Sequence, residues 1–319
     1  MKVIRRIIML ILILLSLFCS SGIASVEGFP EKEITIIVPS SVGGSYDLQA
    51  RAIASVGGQY FGVPVVVKNI PGGTYSIGIE ELLRLEPDGY TLLSSSEAPW
   101  VFTPLSIDVS YNTLTDVQPI CRTVRNPQAF SVYSELPFKT ITDVFEYVQK
   151  NPLEIRFAMA GSATETLLKF LDKNGYKFTV VPYPGGAPAT VAVAGGHADV
   201  TFASVDSALP LEKLGDLRIV LVAPDTTMGD RKFPTAGESP LPIVEEAFGL
   251  TVTYLGVYAR EGIPKDRLLY LEKTLHSIVQ DEGYINMMGK LGFDTEWTGM
   301  EEFTKILKET YIAVQDIGK

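Results

Sequence analysis

The residues best placed to do chemistry in this sequence are neutral ones. Gly43-Gly44-Ser45-Tyr46-Asp47 follows the apolar run Ile34-Thr35-Ile36-Ile37-Val38, which Pro39 closes. A β-branched run of that kind has the make-up of a strand covered on both faces. The glycine pair allows a tight turn and a close approach of a ligand to the main chain. With Gly44 as N-cap, Asp47 falls at N3, where its carboxylate can accept from free backbone N–H groups. Leu48, Ala52, Ile53 and Val56 then recur at helical spacing. The expected product is a helix N-terminus with unpaired N–H donors above a strand end, a place that suits an anion.

Covalent and metal chemistry find less support. Thr74-Tyr75-Ser76-Ile77-Gly78 approaches the Gly-x-Ser-x-Gly nucleophile elbow, and a secreted serine hydrolase using Ser76 is the alternative reading. Thr74 stands in the first glycine position, where it is expected to resist the sharp backbone angles. A general base would have to be His197, in an expected exposed turn after Gly195-Gly196, or His276, on a helix with Leu268, Leu271 and Leu275. Two histidines and Cys121 do not make an ordinary zinc site. Gly-x-Gly-x-x-Gly is absent after the first strand. No catalytic residue, metal or cofactor is expected.

The elements that would position these residues alternate. Strands are expected at 34–38, 63–67 and 91–94, with helices after the first two. A second series begins at Ala129 to Tyr133. It continues through strands at 155–160, 178–183 and 199–203, with helices over 142–150, 165–173 and 188–194. Leu217 to Val222 is expected to run back toward the first series. A strand at 254–258 and helices over 264–281 and 299–315 follow. This rhythm predicts an α/β protein with parallel sheets and right-handed crossovers. Two series, each with a glycine-rich loop after a strand, predict two lobes facing across a cleft. The expected division is 25–124 plus 223–319 for lobe 1 and 125–222 for lobe 2.

Lys2, Arg5 and Arg6 precede an apolar run from Ile7 to Phe18 and the small residues Ser20 to Ala24. This reads as a secretory signal peptide, residues 1–24, and the run is too short to span a membrane. Phe18 is bulky where a lipoprotein signal wants a small residue, so a lipid anchor at Cys19 is not expected. The formal net charge is −10, and removing three bases with the leader takes it to −13. Nucleic acid is thereby an unfavourable partner. An anionic ligand would be repelled at long range, so its site must rely on local donors and dipoles. Cys121, the single cysteine left, has no disulfide partner and is expected to be a buried thiol.

Several motifs together resemble one family. Ile36-Ile37-Val38-Pro39 with Gly43-Gly44 and Asp47 to Arg51 is similar to its first signature. Asn69-Ile70-Pro71-Gly72-Gly73 with Gly78, Pro87-Asp88-Gly89-Tyr90-Thr91-Leu92, and Tyr183 to Ala189 with Gly195-Gly196 and Asp199 are similar to the others. The family is the extracytoplasmic solute receptors of tripartite tricarboxylate transporters, also called Bug-type binding proteins. The resemblance implies a two-lobed periplasmic-binding-protein fold (type II), each lobe a mostly parallel sheet flanked by helices. It implies a monomeric periplasmic receptor that closes on a small carboxylate and delivers it to the transporter's membrane subunits. Carried over by motif, Val42, Gly43, Gly44, Ser45 and Tyr46 would form the first grip. Gly161, Ser162, Ala163 and Thr164 would form the second. Ser95, Ser96, Glu97, the loop Pro184, Gly185, Gly186, Ala187, and Asp206 would line the cleft. The sequence departs from the family at Val42, where proline is frequent, at Tyr46, where a small hydroxyl residue is usual, and at the charged Glu97.

Overall fold

The computed structural model describes residue 26 and residues 28–315, apart from 224–226, 229–230 and 249–253. The expected leader, 1–24, lies outside the described residues. In chain order the strands are β1 (Ile34–Val38), β2 (Val65–Asn69), β3 (Thr91–Ser96), β4 (Val117–Arg125), β5 (Gln128–Tyr133), β6 (Arg156–Met159) and β7 (Thr179–Pro182). They continue as β8 (Val200–Ser204), β9 (Leu217–Ala223), β10 (Thr227–Met228), β11 (Arg231–Lys232), β12 (Tyr254–Arg260) and β13 (Asp294–Thr298). The helices are α1 (Ser45–Phe61), α2 (Ser76–Arg84), α3 (Ala98–Ser106), α4 (Ile141–Lys150), α5 (Gly161–Lys173) and α6 (Gly186–Ala194). After them come α7 (Val205–Leu214), α8 (Pro242–Phe248), α9 (Lys265–Val279), α10 (Glu282–Lys290) and α11 (Met300–Gln315).

Two sheets organise the chain, in the orders β13-β4-β12-β3-β1-β2 and β7-β6-β8-β5-β9. β1 pairs in parallel with β2 and β3, and β6 pairs in parallel with β7 and β8. The other half of each sheet is antiparallel, through β12 and β4 in one and β5 and β9 in the other. The sheets are therefore more mixed than the β/α rhythm implied, because the strands that carry the chain from lobe to lobe run against the β/α units.

Helices cover both faces of each sheet, which is why β1 is apolar at four of its five positions, Thr35 being the half-buried exception. Ile34, Ile36 and Val38 enter one core with Ala50, Ile53 and Leu275, while Ile37 enters another with Leu93, Trp100 and Phe303. Burying side chains of this size contributes roughly 1.5–3 kcal/mol each. Lobe 2 is built asymmetrically. Phe130, Phe157, Phe202 and Phe248 pack edge to face on one side, and Ala129, Ala158 and Ala189 keep the other side thin. Cys121 is a free, buried thiol in the first core.

β4 ends at Arg125 in the first sheet and β5 begins at Gln128 in the second, so the chain passes between the sheets at Asn126-Pro127. The return differs from the expectation. β9 stays in lobe 2 as an edge strand on β5. Val244, Ala247 and Phe248 of α8 belong to the second core. The chain is still in the second core at Phe248 and is in the first sheet from Tyr254. An apolar run such as 217–222 says that a strand is buried, not which sheet receives it.

Candidate functional site

Every parallel strand of both sheets points its carboxyl end at the space between the lobes, where open α/β sheets bind ligands. Because a helix follows each of these strand ends, helix N-termini gather there. Lobe 1 contributes Ser40, Ser41, Gly44, Ser45 and Tyr46 after β1, and Ser96 and Ala98 after β3, with Tyr75 between them in sequence. Lobe 2 contributes Ala160, Gly161, Ala163 and Thr164 after β6, Gly186 and Ala187 after β7, and Phe202, Ala203 and Ser204 at the end of β8. Asn126 and Gln128 of the crossover join them. The cleft encloses about 720 Å³, counting its open mouth. Among the described residues its lining holds no lysine, arginine, histidine or carboxylate.

The first-lobe wall follows from its local sequence. Gly43 takes a left-handed φ of 84°, and Gly44 returns to extended angles (φ −78°, ψ 165°) as N-cap of α1. Asp47 Oδ2 accepts from the Gly43 N–H at 2.9 Å and from Arg51 Nε at 2.8 Å, and Asn69 Nδ2 donates to Oδ1 at 3.0 Å. Burial alone would raise the Asp47 pKa, but these donors and the Arg51 charge hold it below the usual carboxylate range. Asp47 thus fixes the turn and is itself satisfied, and the Gly44 N–H donates to the Ser41 carbonyl at 3.4 Å. The Tyr46 and Ser96 hydroxyls share a hydrogen bond of 2.7 Å, and burial raises the Tyr46 pKa well above its ordinary value.

Tyr75 reaches the cleft by an uncommon route. Thr74 (φ 51°) and Tyr75 (φ 78°) are consecutive non-glycine residues in left-handed conformation. Such conformations cost about 1–3 kcal/mol each and persist only where the surroundings hold them. Here the Thr103 hydroxyl donates to the Thr74 carbonyl at 3.0 Å, and the Tyr75 ring packs on Tyr46 with centroids 5.7 Å apart. The expectation that Thr74 would resist sharp angles is thereby corrected. The elbow is nonetheless without a base. Ser76 is buried at the start of α2, His197 lies exposed in lobe 2, and His276 stacks on Trp297 with centroids 4.7 Å apart. Among the described residues no cluster of His, Cys, Asp and Glu is placed to hold a metal ion.

Of the residues singled out from sequence, Gly44, Ser45, Tyr46, Ser96, Gly161, Ala163, Thr164, Gly186 and Ala187 line the cleft. The others stand beside it or away from it. Val42 is 65% exposed, and Gly43 and Pro184 are exposed. The Ser95 hydroxyl donates to the Ser96 carbonyl. Glu97 is an internal ion-pair partner: it meets Arg122 and accepts from the Tyr254 N–H at 3.2 Å. Burial raises the Glu97 pKa, with Arg122 opposing. Asp206 is buried in the first turn of α7, and neither carboxylate oxygen has a hydrogen-bond partner.

Ser162 and Gly185 instead join the two lobes. Thr103 of α3 donates to Ser162 Oγ at 3.0 Å, and Ser162 donates to the Ala98 carbonyl at 3.4 Å. A Cβ placed on Gly185 would lie 2.5 Å from Ser41 Oγ, and one on Gly161 would run into the Tyr75 hydroxyl. The lobes are therefore closed on each other, with glycine where the opposite wall comes nearest. Sequence reasoning missed Ser40, Ser41, Tyr75, Ala98, Asn126, Gln128, Ala160, Phe202, Ala203 and Ser204. The strand-end rule would have found Ser40, Ala160 and Phe202 to Ser204. Tyr75 and Asn126 carry no local signal of their position.

With this geometry in place, comparison with known proteins is informative. The model of the tripartite tricarboxylate transporter family receptors matches residues 49–317. The protein BugT of Bordetella pertussis is 26% identical over 282 residues, covering 86% of this chain and 85% of that protein. A solved periplasmic transporter is 28% identical with a TM-score of 0.81, over 91% of this chain and 97% of the other. Malate-bound MatC of Rhodopseudomonas palustris, 21% identical, has a TM-score of 0.80 over 91% of this chain and all of that one, a likeness of fold.

Proposed function

Because this chain belongs to the tripartite tricarboxylate transporter receptor family, a family of solute receptors rather than enzymes, we propose that it is exported, captures a small carboxylate between its lobes and hands it to the membrane subunits of such a transporter. The observation that carries this reading is the convergence of helix N-termini from both lobes on a cleft lined by hydroxyl and amide groups. Backbone N–H groups at helix starts replace the water that a carboxylate gives up. They do so without a basic side chain, in a protein whose overall charge would hold a free anion at a distance. MatC with malate and a second R. palustris protein with adipate are carboxylate-bound relatives of the same fold.

One chain supplies both walls, so a monomer suffices. Among the described residues no helix is long and apolar enough to cross a membrane, and in this reading residues 1–24 direct export and are removed. Closure would turn occupancy into a shape that the membrane subunits recognise. Ligand supplies the differential affinity that favours the closed form.

A thermal-shift screen of carboxylates beside sugars and cations tests the proposal. A ligand present at 100 times its Kd contributes about 2.7 kcal/mol, so at least one carboxylate should raise the melting temperature by several degrees. A response to a sugar or a cation, with silence from every carboxylate, would overturn it.

A further inference from the structure

The helix starts at the cleft are not equivalent. α1 carries Asp47 in its first turn, paired with Arg51, and Glu97 caps α3, paired with Arg122. α7 carries Asp206. α2, α5 and α6 carry no acidic residue in their first turns, and of these only α5 and α6 bring first-turn residues, Gly161, Ala163, Thr164, Gly186 and Ala187, into the cleft lining. A carboxylate at a helix start already answers the partial positive charge there. The starts left open to an incoming negative charge are thus those of α5 and α6, both in lobe 2.

A second observation points to a ligand at the same place. Ser40 is 6% exposed, lines the cleft, and its hydroxyl has no hydrogen-bond partner. The Ser41 hydroxyl is equally uncommitted, and it stands against Gly185, the N-cap of α6. An enclosed hydroxyl without a partner is costly, and an accepting ligand atom recovers that cost. Of the other cleft hydroxyls, Ser96 is engaged with Tyr46, Thr164 with the Phe202 carbonyl and Ser204 with Ser207. Beside the amides of Asn126 and Gln128, the lining presents an aromatic and apolar wall of Tyr46, Tyr75, Ala98 and Phe202.

Resting on the receptor reading, we propose that the ligand carries one ionised carboxylate, held by the α5 and α6 starts with Ser40 and Ser41, and an uncharged, largely apolar remainder that lies against Tyr46, Tyr75 and Phe202. A second carboxylate at Tyr46, Tyr75 and Phe202 would meet aromatic faces. A dicarboxylate therefore gives up hydration at one end that nothing replaces.

Isothermal titration calorimetry of the purified protein decides this with butyrate, hexanoate and phenylacetate as monocarboxylates, malate and adipate as dicarboxylates, and phenylacetamide as a neutral analogue. The tightest monocarboxylate should bind at least tenfold more strongly than either dicarboxylate, and phenylacetamide should give no measurable heat. Malate or adipate binding more tightly than all three monocarboxylates would overturn the inference and leave the receptor reading standing. Silence from all five acids would remove both. With the tightest monocarboxylate, Tyr75→Phe should keep affinity within twofold and Tyr75→Ser should lower it at least fivefold. An unchanged affinity in Tyr75→Ser would refute the aromatic wall.

Discussion

Asp206 shows how much one side chain's surroundings decide. It is almost fully enclosed, its oxygens lack hydrogen-bond partners, and burial pushes its pKa to about 6, only partly offset by nearby Ser204 and Ser207. The sign of its effect on stability follows from linkage. Below about pH 4 it is protonated in both states and its contribution is complete. Between about pH 4 and 6 the unfolded chain ionises it while the folded chain keeps the proton, so stability falls as pH rises. Above about pH 6 the loss is complete, on the order of 3 kcal/mol for a shift of this size. Asp206→Asn should remove that loss. Unfolding curves of parent and variant at pH 4, 5, 6 and 7 should show the variant gaining on the parent as pH rises. The two stabilities running parallel over the whole range would mean that Asp206 is solvated. Asp47 contrasts with it. Held below the ordinary range by Arg51, the Gly43 N–H and Asn69, it stabilises the fold at neutral pH and loses that effect only in acid. The two carboxylates differ in their neighbours, not in their chemistry.

At the level of elements, the start of α1 separates a glycine kept for a ligand from one kept for packing. A Cβ on Gly44 would sit 3.5 Å from the Ser41 carbonyl and 3.7 Å from Ser40 Oγ, ordinary contacts, and the backbone angles suit any residue. A Cβ on Gly78 would lie 2.8 Å from the Ile70 carbonyl and from Pro39, where α2 crosses the end of β1. Gly44→Val should therefore cost no more than about 1 kcal/mol in unfolding, the loss of a good N-cap, yet weaken ligand at least tenfold. Gly78→Ala should cost roughly 1–3 kcal/mol through overpacking. If Gly44→Val were as unstable as Gly78→Ala, Gly44 would be a packing glycine and the idea that it leaves room for ligand at this wall of the cleft would lose its basis. The same element shows what was legible in the sequence. The β1 strand, the turn, the N-cap and the role of Asp47 were all readable, because each depends on residues within a few positions. The partner of Glu97 was not, since Arg122 reaches it from β4 across the sheet order. Nor was Tyr75, whose backbone is held by Thr103 of another helix. Local pattern places elements, and the contacts that assign a side chain to a cleft or an ion pair come from the topology.

For the whole molecule the deciding property is closure, and its contacts are few enough to test. Gly161, at a φ of 80°, sits directly beneath the Tyr75 hydroxyl of the opposite lobe, and Thr103 meets Ser162 close by. Gly161→Ala adds a methyl where the lobes touch. It costs about 1–2 kcal/mol in backbone strain, and it penalises the closed form further, because an open molecule has no Tyr75 there. A ligand that needs both walls then meets a smaller closed population, and its apparent Kd rises in proportion. Small-angle scattering at saturating ligand should give a larger radius of gyration for Gly161→Ala than for the parent. Backbone strain alone would lower stability in both open and closed forms and leave the radius unchanged. Adding Tyr75→Ala to Gly161→Ala distinguishes the two causes. It removes the ring that the methyl strikes, so the double variant should regain the parent's compactness even though Tyr75 itself lines the binding cleft. A double variant as extended as the single one would mean that the lobes are held apart by something other than this contact.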